Sequence, residues 1–306
     1  MSAHRNTTPQ RQGEGMVLAA AMLWGTTGTM QALAPPGASP LAVGAVRLMI
    51  GGAALLLFAL GRNAFRPRQP WPFVTTVGSA ASMAAYQLCF FSAVLRTGVA
   101  VGTVIAIASG PVIAGLLGMI FLHERLTRRW AMATVLAVSG GGMLIVGNGA
   151  VQVDWAFMLL ALGAGASYAL YTLTSKQLLQ QQRAEAVAGV AFAGGALLLS
   201  PILLMADLAW LNTARGMVVA LELGLLATAL PYILYVRGLL TVPVATAVTL
   251  ALAEPLTATV FGVLLLDEQL TLFAVGGIVL IFTGLVLLTT GRRTATSSRP
   301  IDSEDD

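Results

Sequence analysis

Two stretches decide the architecture: residues 105–127, IAIASGPVIAGLLGMIFLHERLT, and residues 249–271, TLALAEPLTATVFGVLLLDEQLT. Pro111 in the first and Pro255 in the second stand at the same place, and so do Glu124 and Glu268, Leu126 and Leu270, and Thr127 and Thr271. Each pair is 144 residues apart. At that offset Leu18, Ala20 and Trp24 fall on Leu162, Ala164 and Tyr168, and one residue closer Gly51-Gly52 falls on Gly194-Gly195. The chain therefore reads as one unit written twice.

The units are apolar. Hydrophobic residues make up 57% of the 306, and only 10% are charged, against about 25% in a soluble domain. Mean hydropathy is +0.83. Helical spans need about 20 apolar residues to cross a bilayer core, and ten segments meet or approach that: 15–34, 40–60, 71–94, 99–121, 129–147, 154–174, 187–206, 215–238, 242–266 and 270–290. The expected fold is an all-α integral membrane protein of ten transmembrane helices. Residues 1–14 form a polar tail, 15–147 and 148–290 the two five-helix repeats, and 291–306 a second polar tail. The 33 glycines suit close helix contact in lipid, where small residues let backbones approach.

Basic residues orient the spans. With the N-terminus in the cytoplasm, that side receives 14 Lys and Arg residues, among them Arg62, Arg66, Arg125, Arg128, Lys176, Arg183 and Arg237, and the other side receives only Arg96 and Arg215. Both termini are then cytoplasmic. Five spans per unit, an odd number, insert the second unit upside down, giving a 5+5 inverted-topology repeat. Inverted repeats build alternating-access transporters with the solute site at the repeat interface. The arginines fall in short stretches between apolar runs, which argues against a nucleic-acid surface. Cys89 stands alone and excludes an intrachain disulfide. No zinc cluster, P-loop, EF-hand or hydrolase elbow is present, so neither an enzyme nor a cofactor is expected.

Charge inside an apolar span is costly, about 2.5–3.5 kcal/mol on insertion scales. Glu254, Glu222 and Arg47 are the three cases. Glu254 is a candidate for binding a solute ammonium or taking up a proton; as a purely structural group it would lock the helix near Pro255. Arg47 and Glu222 lie at similar depth and are candidates for a charge pair, or Arg47 for a solute carboxylate. Pro111 and Pro255 each remove an amide from the middle of a span and are expected to kink or break it, with the freed carbonyl met inside the protein. Trp24, Tyr86, Gln87, Tyr168, Tyr171, Tyr232 and Tyr235 are hydrogen-bonding groups within apolar runs and are candidates for the walls of a cavity. Tyr232 and Tyr235 fit an interfacial belt as well. Trp71, Trp130, Trp155 and Trp210 sit near span ends and read as interface anchors. His123, beside Glu124, reads as a loop cap.

The chain resembles the EamA family of the drug/metabolite transporter superfamily. Leu23-Trp24-Gly25, Arg47, Pro111 with His123–Thr127, Glu254-Pro255 and Asp267–Thr271 carry the resemblance, which covers about residues 15–290. It implies a monomeric ten-helix bundle around a central cavity in a bacterial inner membrane, exporting small metabolites. Members similar to this chain export amino acids, aromatic or threonine/homoserine-like. Export of drugs, purines or other metabolites is the alternative within the fold, and a non-transporting receptor or scaffold the alternative outside it. Protons are a candidate coupling ion.

Overall fold

A computed structural model describes residues 8–66, 68–146, 155–266 and 271–290, and among these every regular element is helical. In order they are α1 (Thr8–Trp24), α2 (Thr26–Ala32), α3 (Pro40–Gly61), α4 (Phe73–Leu122), α5 (Arg128–Val146), α6 (Trp155–Leu178) and α7 (Ala184–Met205). There follow a 3-10 turn (Ala209–Asn212), α8 (Ala214–Leu221), a π-helical stretch (Glu222–Ala229), α9 (Leu230–Gly238) and α10 (Val244–Leu250). A second 3-10 turn (Ala251–Ala253) leads into α11 (Glu254–Leu266), and α12 (Leu272–Thr290) ends the bundle. Among the described residues, six helical segments can cross a membrane by length and composition: Pro40–Gly61, Met158–Leu178, Ala184–Met205, Ala214–Gly238, Val244–Leu265 and Leu272–Thr290. Most of Asp267–Thr271, the second copy of the repeated motif, lies outside the described residues, as do residues 1–7 and 291–306; α1 already begins at Thr8, so residues 8–14, expected within a polar tail, are helical.

Local chemistry sets several helix ends. Ser39 Oγ accepts from the Ala42 amide, with Pro40 opening α3, and Thr213 Oγ1 accepts from the Gly216 amide at the start of α8. His123 closes α4 in the left-handed conformation at φ 54°. His123 is thus the cap it was expected to be, with the Glu124 amide donating to the Gly118 carbonyl, and the Glu124 side chain caps a second helix: Oε1 accepts from the Val244 amide at 2.9 Å and Oε2 from the Ala245 amide at 3.4 Å. Pro243 leaves α10 with orphan first-turn amides, so a side chain from the first half begins a helix of the second. Lys176 holds the preceding turn by donating to the carbonyls of Leu239 and Val242.

The expected third and fourth spans both fall within α4, which runs for 50 residues. Straight, the 24 residues from Tyr86 to Gly110 would separate them by about 36 Å. Yet Tyr168 on α6 reaches both, with its ring centroid 6.1 Å from that of Tyr86 and its Cδ1 4.0 Å from where a Gly110 Cβ would stand. Gly163 and Gly165 repeat the pattern, the one against Cys89 and the other against the Ala106 carbonyl and Gly110 amide. The helix therefore doubles back between Phe91 and Ala106, and its two legs lie side by side on α6.

The two halves meet through antiparallel pairs of equivalent helices. On α3 and α7, Gly52 backs onto Phe192 and Gly195 onto Leu48. On α5 and α12, a Cβ at Gly140 would lie 2.5 Å from the Gly277 carbonyl oxygen, and one at Gly284 would lie 2.7 Å from the Ala133 carbonyl oxygen. Displacement by 144 residues turns Gly140 into Gly284 and Gly277 into Ala133, so one contact maps onto the other. Gly140 against Ile281 likewise maps onto Gly284 against Ala137. A twofold operation that reverses helix direction relates the described parts of the halves at these crossings.

These crossings rest on the absence of side chains, and substitution tests them. Leucine at Gly277 forces its Cβ onto the Gly140 carbonyl, while Gly142 has open space around it. Overpacking of this kind costs about 1–3 kcal/mol. Thermal unfolding in detergent is expected to show a clear fall for Gly277→Leu and almost none for Gly142→Leu.

Candidate solute-binding site

A narrow cavity lies where the halves meet, walled by residues of α1, α2, α3, both legs of α4, α6, α9, α10 and α11, with Ala251 from the second 3-10 turn. Of the residues expected from sequence, Trp24, Arg47, Tyr86, Tyr168, Tyr232 and Glu254 line it. Thr27, Phe90, Ala106, Gly110, Gly165, Val248 and Ala251 complete the wall, and sequence reading had not singled them out. Two were within reach. Thr27 closely follows the Leu23-Trp24-Gly25 motif, and Gly110 is the repeat partner of Glu254.

Arg47 is buried on α3 at 6% exposure and spans the join to the second half. Its Nε donates to Thr228 Oγ1 at 2.7 Å and its Nη2 to the Ala227 carbonyl at 2.8 Å. Both acceptors belong to the π-helical stretch, whose wider turn leaves carbonyls out of α-helical register. Thr228 Oγ1 in turn donates to the Leu223 carbonyl five residues back, at 2.7 Å. Gly51, one turn beyond Arg47, permits the approach, since a Cβ there would lie 2.8 Å from Thr228 Cβ. A guanidinium has five N–H donors, so these two bonds fix Arg47 and leave donors for a solute. Arg47 and Glu222 form no ion pair: among the described residues the ion pair within 4.0 Å joins Arg237 and Glu185. Half-buried Glu222 instead accepts from Thr26 Oγ1 on α2 at 2.7 Å.

Glu254 stands at a helix discontinuity that Pro255 causes. Proline has no amide to offer the Ala251 carbonyl four residues back. The Glu254 amide takes that carbonyl instead, tightening Ala251–Ala253 into a 3-10 turn before α11 begins. Gly25 sits in the break between α1 and α2 and lets that backbone come close, since a Cβ there would lie 2.9 Å from the Glu254 carbonyl oxygen. The Glu254 carboxylate makes no hydrogen bond or ion pair among the described residues. Pro111 behaves differently. There α4 stays helical through the proline, with no interruption like the one before Glu254.

The chain's five tyrosines gather around Trp24. Its ring centroid is 4.8 Å from that of Tyr232, 5.3 Å from Tyr235 and 6.0 Å, edge-on, from Tyr168. Tyr86 reaches Tyr168 at 6.1 Å and stacks on Phe90 at 5.6 Å. Tyr171 and Tyr235 are fully buried behind the wall, Tyr171 edge-on to Tyr232 and Phe192, Tyr235 sharing a 2.9 Å hydrogen bond with Thr172 Oγ1. Gln87 is buried outside the cavity. Burial excludes the belt reading for Tyr232 and Tyr235. Of the expected interface anchors, Trp210 is buried, and Trp130 is half-buried with its Nε1 donating to the Ala245 carbonyl at 3.1 Å and Thr249 Oγ1 at 3.0 Å. The Trp155 side chain lies outside the described residues. Within the cavity wall, Trp24 Nε1 and Thr27 Oγ1 are buried without partners among the described residues, which leaves hydrogen-bonding capacity for a small polar molecule.

A family model described as the EamA-like transporter family matches this chain twice, over residues 11–146 and 155–290. The chain belongs to that family. Both ends of the second match are displaced by 144 residues from the first, the interval of the repeated motif. The uncharacterized transporter YwfM of Bacillus subtilis (strain 168) is 47% identical over 278 residues, covering 90% of this chain and 93% of that protein. A probable terminal-alkyne amino-acid exporter of Streptantibioticus cattleyicolor is 30% identical over 82% of this chain and 86% of its own length. The threonine/homoserine exporter RhtA of Escherichia coli (strain K12) is 37% identical over 161 residues, half of this chain and 53% of that protein. A solved crystal structure with 21% identity shares the fold at a TM-score of 0.78, covering 91% of this chain and 96% of the other. With this family, the protein is a multi-pass membrane transporter.

Thr228 tests how the buried cation is held. Thr228→Val removes the acceptor of Arg47 Nε and leaves a buried donor unsatisfied, a loss of about 1–3 kcal/mol. Thr228→Ser keeps the oxygen. The valine variant is expected to unfold at a lower temperature and to transport poorly, the serine variant to behave almost as the parent, as read by thermal unfolding and liposome efflux.

Proposed function

We propose that this protein exports amino acids across the bacterial inner membrane as a secondary transporter working by alternating access. The observation that carries this reading is the pairing of Arg47 and Glu254 on one aromatic wall. A zwitterion needs a cation for its carboxylate and an anion for its ammonium, among apolar surfaces that exclude water. Arg47 offers spare N–H donors to the carboxylate. Glu254, without a protein partner, receives the ammonium, and the Trp24, Tyr86 and Tyr232 rings add cation–π attraction. The half-length likeness to a threonine/homoserine exporter and the longer likeness to a probable amino-acid exporter support the same class.

In this reading ten spans form two inverted five-helix units, residues 15–147 and 148–290, with both tails in the cytoplasm and a single chain as the working unit. The antiparallel crossings, which interchange equivalent contacts, support the inversion. Exchange of conformation between the units opens the cavity to one side and then the other. A proton displaced from Glu254 by the solute ammonium would couple export to the membrane potential, worth about 2.3 kcal/mol per charge at 100 mV.

Proteoliposomes loaded with a panel of amino acids, purines and organic cations, with and without a proton gradient, test this. Efflux of neutral amino acids is expected, with transport by Arg47→Gln and Glu254→Gln each reduced about tenfold or more, the loss expected from one charge-assisted contact. Movement of organic cations by Arg47→Gln at the parent rate, with no amino-acid flux in the parent, would replace this reading by a cation exporter. Equal efflux by the parent with and without the gradient, or a gradient effect that Glu254→Gln retains in full, would remove the Glu254 proton from the scheme.

A further inference from the structure

A second cavity, of about 650 Å³, opens at one end of the bundle, apart from the aromatic site. Four arginines converge on it from separate parts of the chain: Arg62 and Arg66 from the link after α3, Arg183 from the link before α7, and Arg237 from the last turn of α9. Glu185 is the one acid in the wall, and it is engaged by Arg237 at 2.6 Å. Arg62, Arg66 and Arg183 are exposed and, among the described residues, make no side-chain hydrogen bond or ion pair. The wall therefore holds three guanidinium groups with uncommitted donors. Guanidinium is the side chain whose fork matches phosphate oxygens two at a time.

Depth narrows the choice of ligand. Arg62 directly follows the apolar span Pro40–Gly61, Arg183 directly precedes Ala184–Met205, and Arg237 is one residue from the end of Ala214–Gly238. Three span ends meeting at one cavity mark the boundary between hydrocarbon and headgroups. Met16 and Leu240 give the same wall an apolar part. The repeat does not demand this arrangement, since the residues 144 positions from Arg62, Arg66, Arg183 and Arg237 are Ala206, Trp210, Ser39 and Ala93. Nor is it only the general excess of positive charge on one side of a membrane protein. Arg125 and Arg128 are exposed as well and take no part in it.

We propose that this basic cavity is a binding site for a phosphate group, carried either by an anionic phospholipid headgroup at the membrane surface or by a soluble phosphate. The site does not depend on the identity of the transported solute, and its test does not use transport.

Purified full-length protein in nanodiscs of phosphatidylcholine, with phosphatidylglycerol titrated in, reads the lipid source by native mass spectrometry and thermal shift. Protein in detergent titrated with inorganic phosphate reads the soluble source. The R62Q/R66Q/R183Q variant is compared with the parent, and R125Q/R128Q serves as the charge control. Phosphatidylglycerol binding that weakens about tenfold or more in the triple variant, the equivalent of about 1.4 kcal/mol, and stays unchanged in the control supports the site with lipid as its source. The same pattern for inorganic phosphate alone supports it with a soluble source. Binding that falls equally in the triple variant and the control, or that is the same in all three proteins, overturns it. All five positions exchanged are exposed, and an unchanged unfolding temperature without anion confirms that the variants are folded.

Discussion

The Gly277 carbonyl oxygen stands where a side chain on Gly140 would begin, and the rest of the molecule is arranged around crossings of that kind. In hydrocarbon, apolar side chains gain little from one another beyond packing, so helix association relies on close backbone approach and on hydrogen bonds between helices. Glycine at Gly52, Gly195, Gly140, Gly277 and Gly284 supplies the first. Arg47 to the π-helical stretch and Glu124 to α10 supply the second, each reaching from the first half into the second. Without those approaches the buried guanidinium would have no acceptors within range, and the cavity would have no charged wall.

The halves came from the sequence with little ambiguity. The Pro–Glu–Leu–Thr register is short, but proline and glutamate are rare enough in apolar runs for their spacing to carry information. The family match twice over, at the same interval, agrees with it. Trp24 and Tyr168 were found by that register, and Arg47 and Glu254 by the cost of charge in a span. These are features in which residue type alone limits the environment.

Direction was harder to read than depth. Tyr232 and Tyr235 lie where an interfacial belt would also place them, and only the packing of α9 on α1 turns them inward against Trp24. Trp210 likewise turns inward, buried among Val43, Val46 and Val219. The π-helical stretch leaves no composition signal, because it is bound up with a tertiary contact, Arg47 with the Ala227 carbonyl. Pro111 and Pro255 look equivalent in sequence. They differ because the Glu254 amide takes up the Ala251 carbonyl in a tighter turn, whereas α4 absorbs Pro111 without interruption.

Equivalent positions in the two halves carry different chemistry. Glu254 answers to Gly110 across the repeat, and Arg47, in the register of the paired glycines, answers to Val190. Two identical half-length chains would face each other with the same wall twice, and a molecule between them could sit either way round with equal ease. Joining the halves in one polypeptide let each lose what the other kept. The result is a chamber with a head and a tail inside a scaffold that has neither, and a zwitterion held as proposed would have one orientation in it rather than two.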